Sequence, residues 1–341
     1  MVQPWEVDAQ IRARKKNGEC LHAGGAARSV CGKPAIGSHT VTKKMLKQIA
    51  QEGHVYSHSA VLQELKKTAG KLAVKSIGIN DASVVPVFCH IHDNNTFSPL
   101  EKMPFVATQE QCFLLAYRAV CHELAKKKGV SNFIPTIREF DSGMPLLRQG
   151  FLQVMLDELD KGCKLSMRDM DEHKEQFDSM LIAQDYTDIR AFIVSFENLP
   201  DILCSGAHYP QCDFAGNQLQ DLSDFDKKME LMTFSLIATD NAGAFVFAWH
   251  KDSDDICRPL ASSLDRLPNE ELSHAIIRFV FEFCENHYLR PEWWDTISAD
   301  AKDTITGRFQ TAASPGKREK TCLIDDGFRA VSWKISERKW L

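Results

Sequence analysis

Three cysteines and a histidine place the strongest constraint on how this chain folds. Cys20 and Cys31 have ten residues between them, with Gly24 and Gly25 inside the gap, whereas Cys89 and His92 are separated by only two. A zinc ion takes four nitrogen or sulfur ligands in a tetrahedron, usually from two turn-like pairs. The pair Cys89-x-x-His92 is tight enough to converge on one ion. The first pair brings its partners through a glycine-rich loop. If all four ligands serve one structural Zn²⁺, the N-terminus is tied to a strand some seventy residues away. Such a tie supplies much of the folding energy of a small domain.

Cysteine usage agrees with ligands rather than bridges. The eleven cysteines are odd in number and scattered singly, and Met1–Asp8 has no basic stretch followed by an apolar run. Both observations point to a cytoplasmic, reducing setting without a disulfide framework. No run of eighteen apolar residues occurs, so no membrane partner is expected. The net charge of −5 hides an asymmetry: residues 1–80 hold thirteen Lys and Arg against five Asp and Glu, and the remainder is strongly acidic. A basic module on an acidic body suits DNA or RNA contact through the N-terminal part. A solvated lysine-rich face is the plainer reading of the same pattern.

The patterning divides the chain into a basic zinc-binding module over 1–105, a helical region over 106–186 and an α+β C-terminal domain over 187–341. In the first, a mobile arm or a short strand or helix is expected over 1–19. Thr40-Val41-Thr42 caps a helix to Glu52 with Met45, Leu46 and Ile49 on one face and Lys43, Lys44 and Lys47 elsewhere. A second lysine-rich helix is expected from about Ala60 to Lys71, and Val84–Phe88 reads as a buried strand delivering Cys89. The middle region predicts three helices: Thr108 to Gly129, Pro145 to Leu159 with Leu146, Phe151, Leu152 and Met155 facing a core, and Met167 to Ala183. Beyond Ile189 the texture becomes β: a strand at Arg190–Phe196, and a hairpin of Leu231–Ile237 and Ala244–Trp249 around Asp240–Gly243. His208–Leu222 reads as a loop, and Asp252–Asp255 as an acidic one. Helices are expected over Leu272–His287 and from Pro291 to about Phe309, a polar linker over 311–320, and an edge strand at Phe328–Trp333. The fold class is therefore α+β, with a C-terminal antiparallel sheet and packed helices.

His39 is the ambiguous residue. It follows Cys31 in Ile36-Gly37-Ser38-His39-Thr40-Val41, which alternates as a strand does, and it is either a further ligand or a free imidazole. Over residues 20–97 the arrangement resembles the HNH nuclease family, whose treble-clef zinc fold places a histidine at the end of a strand after its first cysteine pair. The resemblance implies a treble-clef-like module in which His39 is the general base on a water attacking phosphate. Cys89 and His92 then stand for the second ligand pair, and Asp93 for the residue after it, where the family carries a histidine. Ser38 stands where the family usually has an acidic residue. A catalytic Mg²⁺ or Mn²⁺ is expected at Asp93 with help from Asn95, since hard cations take oxygen ligands. Lys43, Lys44 and Lys47 are placed to hold backbone phosphates without reading bases. The implied activity is metal-dependent phosphodiester hydrolysis, in an antiviral-defence or mobile-element setting by analogy. The alternative is a non-catalytic zinc module binding nucleic acid or protein, with the C-terminal domain as scaffold, regulator or partner surface.

Elsewhere the chemistry is sparser. His54 and His58 read as surface-loop histidines rather than a second metal pair. Cys204 and Cys212 are too loosely spaced for a metal site. Glu285-Asn286-His287-Tyr288, just before Trp293-Trp294, is the best ligand-site candidate in the C-terminal half, with hinge packing between two helices as its plainer reading.

Overall fold

A computed structural model describes residues 18–23, 31, 34–59, 68, 70–312 and 318–341. The expected N-terminal arm, the expected helix over Ala60–Lys71 and the centre of the expected linker lie largely outside the described residues. In chain order the elements are β1 (Ile36–His39), α1 (Lys43–Ile49), β2 (His54–Ser59), β3 (Ala73–Gly78), β4 (Val84–Phe88), α2 (His90–Thr96) and α3 (Ser98–Glu101). Two long helices follow, α4 (Gln109–Arg138) and α5 (Leu146–Ala183). Then come β5 (Ile189–Phe196), β6 (Ile202–His208), β7 (Met232–Ala238), β8 (Gly243–His250), α6 (Asp254–Asp265), α7 (Asn269–Phe283), β9 (His287–Leu289), α8 (Pro291–Thr296), α9 (Ala299–Ala312) and β10 (Ile335–Trp340). The fold is mixed α+β.

Eight antiparallel strands form the central sheet in the order β10-β5-β8-β7-β6-β9-β2-β3, and β1 pairs with β4 in a separate two-stranded sheet. Strand alternation explains the layering. Ile189, Ala191 and Ile193 of β5 and Ala244, Val246 and Ala248 of β8 join one core cluster with α4, whereas Phe192, Val194, Phe196, Phe245, Phe247 and Trp249 join a second with α6 and α7. Successive side chains of a strand point to opposite faces, so helices on both sides bury every residue of β7 and β8. The aromatic face surrounds Phe279 of α7, whose ring lies 4.9–5.0 Å from Phe247 and Phe234 in edge-on contact.

Several expectations are corrected. α4 does not stop at Gly129 but continues through Pro135 to Arg138, because its inner half is fixed by packing from Gln111 to Leu124. The two expected helices after it are one, since a single Gly162 costs only about 1 kcal/mol against a long run of good helix formers. Ile202–His208 is a central strand, not part of a connection. Asp254 and Asp255 are the first turn of α6, where carboxylates meet the positive helix end. The final strand is Ile335–Trp340 rather than Phe328–Trp333, and its Trp340 pairs in register with Phe192.

The stretch between β1 and β4 is an excursion that carries β2 and β3 into the central sheet, where Tyr56 pairs with Leu289 of β9. A buried imidazole chain holds the join. His287 Nδ1 lies 2.8 Å from the Cys284 carbonyl, which only accepts, so Nδ1 carries the proton and Nε2 accepts from His58 Nδ1 at 2.8 Å. His58 Nε2 in turn accepts from the Thr306 hydroxyl at 3.3 Å. His58 is thus neither a loop residue nor a ligand, and Trp293 and Trp294 beside it are buried packing. Burial pushes His58 down to about 2, helped by His287, and pushes His287 down to about 4.

Both histidines fold neutral and become basic on unfolding, so their contribution is complete above about pH 6.5 and is lost as pH falls toward the folded values. The urea midpoint should therefore fall steadily between pH 7 and pH 5. Replacing both by glutamine should lower stability at pH 7 yet flatten this dependence by up to about two protons, or about 2.7 kcal/mol per pH unit. An unchanged slope in the double variant would remove the pair from the pH response.

Candidate metal centre

Segment 18–23 reaches the end of β4 because its backbone adds alongside that strand: the Leu21 amide donates to the Val87 carbonyl at 2.9 Å. The approach is close at Gly18, where a Cβ would sit 2.3 Å from the Pro86 carbonyl oxygen. Past it, the Ala23 amide donates to the Tyr117 hydroxyl of α4 at 2.8 Å, and that hydroxyl donates to Asp178 Oδ1 of α5 at 2.9 Å. Segment 18–23 is thus pinned to both long helices. On the other side, β4 ends in Cys89, the N-cap of α2, and His92 lies in the first turn of that helix.

These pieces bring Cys20, Cys31, Cys89 and His92 together, with their ligand atoms all within 4.8 Å of one another. The tetrad is the one named from spacing, and it is close enough to hold a metal ion. His92 Nδ1 lies 3.3 Å from Cys20 Sγ and 3.4 Å from Cys89 Sγ. Ligands about 2.0–2.3 Å from a tetrahedral zinc stand roughly 3.5–3.8 Å apart, so the two separations from His92 are already close to those of a coordinating arrangement. Burial and the neighbouring thiols of Cys20 and Cys89 push Cys31 up to about 11. Three sulfurs packed together resist ionisation unless a cation shares their space. His22 lies stacked on His92 with ring centroids 3.9 Å apart, and burial followed by the His92 ring holds it down to about 4. Spacing gave no reason to include His22, although its position two residues after Cys20 is the signal that was there.

His39 is not among the four. It closes β1, paired in register with Val84, and its Nε2 lies 3.0 Å from the Ile79 carbonyl. A carbonyl cannot donate, so Nε2 carries the proton, and in the neutral ring the lone pair is on Nδ1. Asp93 follows His92 on α2, and its Oδ1 is buried with no hydrogen-bond partner. Burial raises the Asp93 carboxyl, while Arg118, the Ser38 hydroxyl and the His39 ring pull it back. Arg118 of α4 is 2% exposed; it bonds Glu101 at 2.7 Å and lies 3.9 Å over the Phe97 ring. Asn95 is exposed and sits two residues beyond Asp93, about 200° around the helix, so it does not converge with it. Lys43, Lys44 and Lys47 are exposed on α1, whose buried face is Met45, Leu46 and Ile49. His90 is exposed at the start of α2, and His54 is exposed with Nδ1 turned to the Glu52 carbonyl. Cys212 meets Cys322 at 3.7 Å, far from the tetrad in sequence.

Ser83 fastens this unit to the sheet. It adopts a left-handed φ of 61°, and its hydroxyl accepts from the Val41 amide at 2.9 Å and donates to Asn286 at 3.1 Å. Its own amide donates to the Tyr288 hydroxyl. Asn286 and Tyr288, which the sequence marks as a ligand site, are therefore the sheet's grip on the loop before β4. No helix among the described residues is long and apolar enough to cross a membrane. A scan against protein-family models matches none, and comparisons with curated proteins and with solved structures find no significant similarity.

Purified protein should carry about one metal ion per chain. Cys89→Ser should reduce occupancy at least tenfold and lower stability by about 3–5 kcal/mol, read by elemental analysis and chemical denaturation. Full stability in a metal-free Cys89→Ser protein would show that the tetrad packs without needing an ion.

Proposed function

We propose that the tetrad holds a structural zinc ion and that the unit it closes is treble-clef-like, with an HNH-like hydrolysis of phosphodiester bonds as its activity. The order of parts supports this reading: Cys20 and Cys31, then β1 paired antiparallel with β4, then α2 with its candidate ligands at the N-cap and in the first turn. The observation that carries catalysis is His39. Its Nε2 is committed to the Ile79 carbonyl, which orients the ring and leaves Nδ1 as the basic atom at the end of β1, close to Asp93.

In this mechanism His39 Nδ1 takes the proton from a water as it attacks phosphorus. The fixed hydrogen bond at Nε2 stabilises the imidazolium that results. The exposed Lys43, Lys44 and Lys47, on the helix that follows His39, hold the flanking phosphates of DNA or RNA. The buried Oδ1 of Asp93, which lacks a hydrogen-bond partner, fits a hard divalent cation. A Mg²⁺ or Mn²⁺ ion held there would neutralise charge developing on the scissile phosphate.

A second reading has one observation in its favour. The buried Arg118 already sets a positive charge near Asp93. If that charge replaces a catalytic cation, the zinc unit binds nucleic acid or a protein through its lysines without cleaving it.

Elemental analysis should identify zinc. With Mg²⁺ or Mn²⁺, wild type should cleave DNA or RNA, and His39→Ala should lose at least about 10²-fold of that activity with zinc content and nucleic-acid affinity unchanged. Cleavage surviving in zinc-replete His39→Ala rejects His39 as the base. Binding without cleavage by wild type selects the second reading.

A further inference from the structure

The helix α5 is 38 residues long, about 57 Å, yet five of its six buried side chains lie at Asp169 or beyond. Its first half leans mainly on α4, through Leu156 and through Arg138, which bonds Gln153 at 2.7 Å, with further contacts from Gln153 to Asp141 and from Lys161 to the Phe225 ring. The face turned away from α4 is apolar. Leu146 is 85% exposed, Leu147 91%, Phe151 69%, Val154 62%, Met155 47% and Leu159 45%. At 100° per residue Leu147, Phe151, Val154 and Met155 form a stripe about 100° wide, with Leu146 and Leu159 on its two flanks. Together they expose roughly 700 Å², above the largest patch of a typical monomer and close to the ~800 Å² that each partner buries in a stable complex.

The stripe's charges say what covers it. Arg148 sits at its N-terminal end and Glu158 at its C-terminal end, both exposed and neither with an ion-pair partner among the described residues. About a two-fold axis near Gln153, an antiparallel copy sets Leu147 against Leu159, Phe151 against Met155 and Arg148 against Glu158. A parallel copy instead sets Arg148 against Arg148 and Glu158 against Glu158, and such like-charge contacts are unfavourable. A surface that complements itself under two-fold rotation is the pattern of an isologous interface.

We propose that this face binds a second copy of the chain, with the two α5 helices antiparallel and each backed by its own α4. The association excludes water from Leu147, Phe151, Met155 and Leu159, while the Arg148–Glu158 pairs fix direction and register.

Sedimentation velocity of the full chain between about 1 and 100 µM tests this. Wild type should be a dimer, and Phe151→Glu should weaken it at least about thirtyfold while its circular dichroism spectrum stays that of the folded chain, because the side chain is exposed in the monomer. Arg148→Glu and Glu158→Arg should each weaken the dimer roughly tenfold, and the double exchange should bring affinity back to within about threefold of wild type. A wild type that stays monomeric at 100 µM overturns the proposal, as does a dimer indifferent to Phe151→Glu. Two weakened single variants without recovery in the double exchange reject the antiparallel register.

Discussion

The convergence of Cys20, Cys31, Cys89 and His92 is the constraint on which the N-terminal part of the molecule depends. β1 has four residues and β4 five, too few to hold a two-stranded sheet in water unaided. What keeps the strand pair in place is closure at both ends. One end is the cluster of Cys20, Cys31, Cys89 and His92, where segment 18–23 runs beside β4 and α2 begins. The other is the excursion through β2 and β3, sewn into the central sheet by Tyr56, His58 and Ser83. His39 and Asp93 inherit their positions from this double closure, since one ends β1 and the other lies in the first turn of α2.

The polar interior follows a consistent logic. Three buried or half-buried histidines have partners that fix their tautomers: a carbonyl for His287, another for His39, and the accepting Nε2 of His287 for His58. Each bond fixes a tautomer, and the tautomer fixes what the other nitrogen does next. Charge is treated differently. Arg118 is almost fully enclosed, with a carboxylate at one nitrogen and an aromatic face beneath it, while Nε and Nη1 have no hydrogen-bond partner, so its cost of burial is offset only in part.

Much of this was legible in the residues, and the parts that were not have physical reasons. The metal tetrad could be named because ligand chemistry restricts both residue type and spacing, and few other reasons place Cys-x-x-His after a buried strand. The β7–β8 hairpin could be named because Asp240–Gly243 interrupts two β-branched and aromatic runs. The long helices were cut short because Gly129, Pro135 and Gly162 are local signals, while the packing that overrides them is not. The role of His58 was out of reach because its partner is 229 residues away. The stripe of α5 was read as core because apolar periodicity reports that a face will be covered, not by which molecule.

The route of the chain has a consequence in time. β2 and β3 are among the first strands synthesised, but the strand that receives them, β9, is made some 230 residues later, as the contact from Ser57 to the His287 carbonyl shows. At ordinary translation speeds of about 5–20 residues per second, that is a wait of roughly 10 to 50 seconds. During it, the edge of β2 has no neighbour and the loop before β4 lacks the anchor that Asn286 and Tyr288 later provide. The four side chains that could hold a metal ion, Cys20, Cys31, Cys89 and His92, all lie within the first hundred residues. The end of the module that carries this cluster is thus the part whose pieces are complete long before the ribosome has finished, while the sheet is still half built.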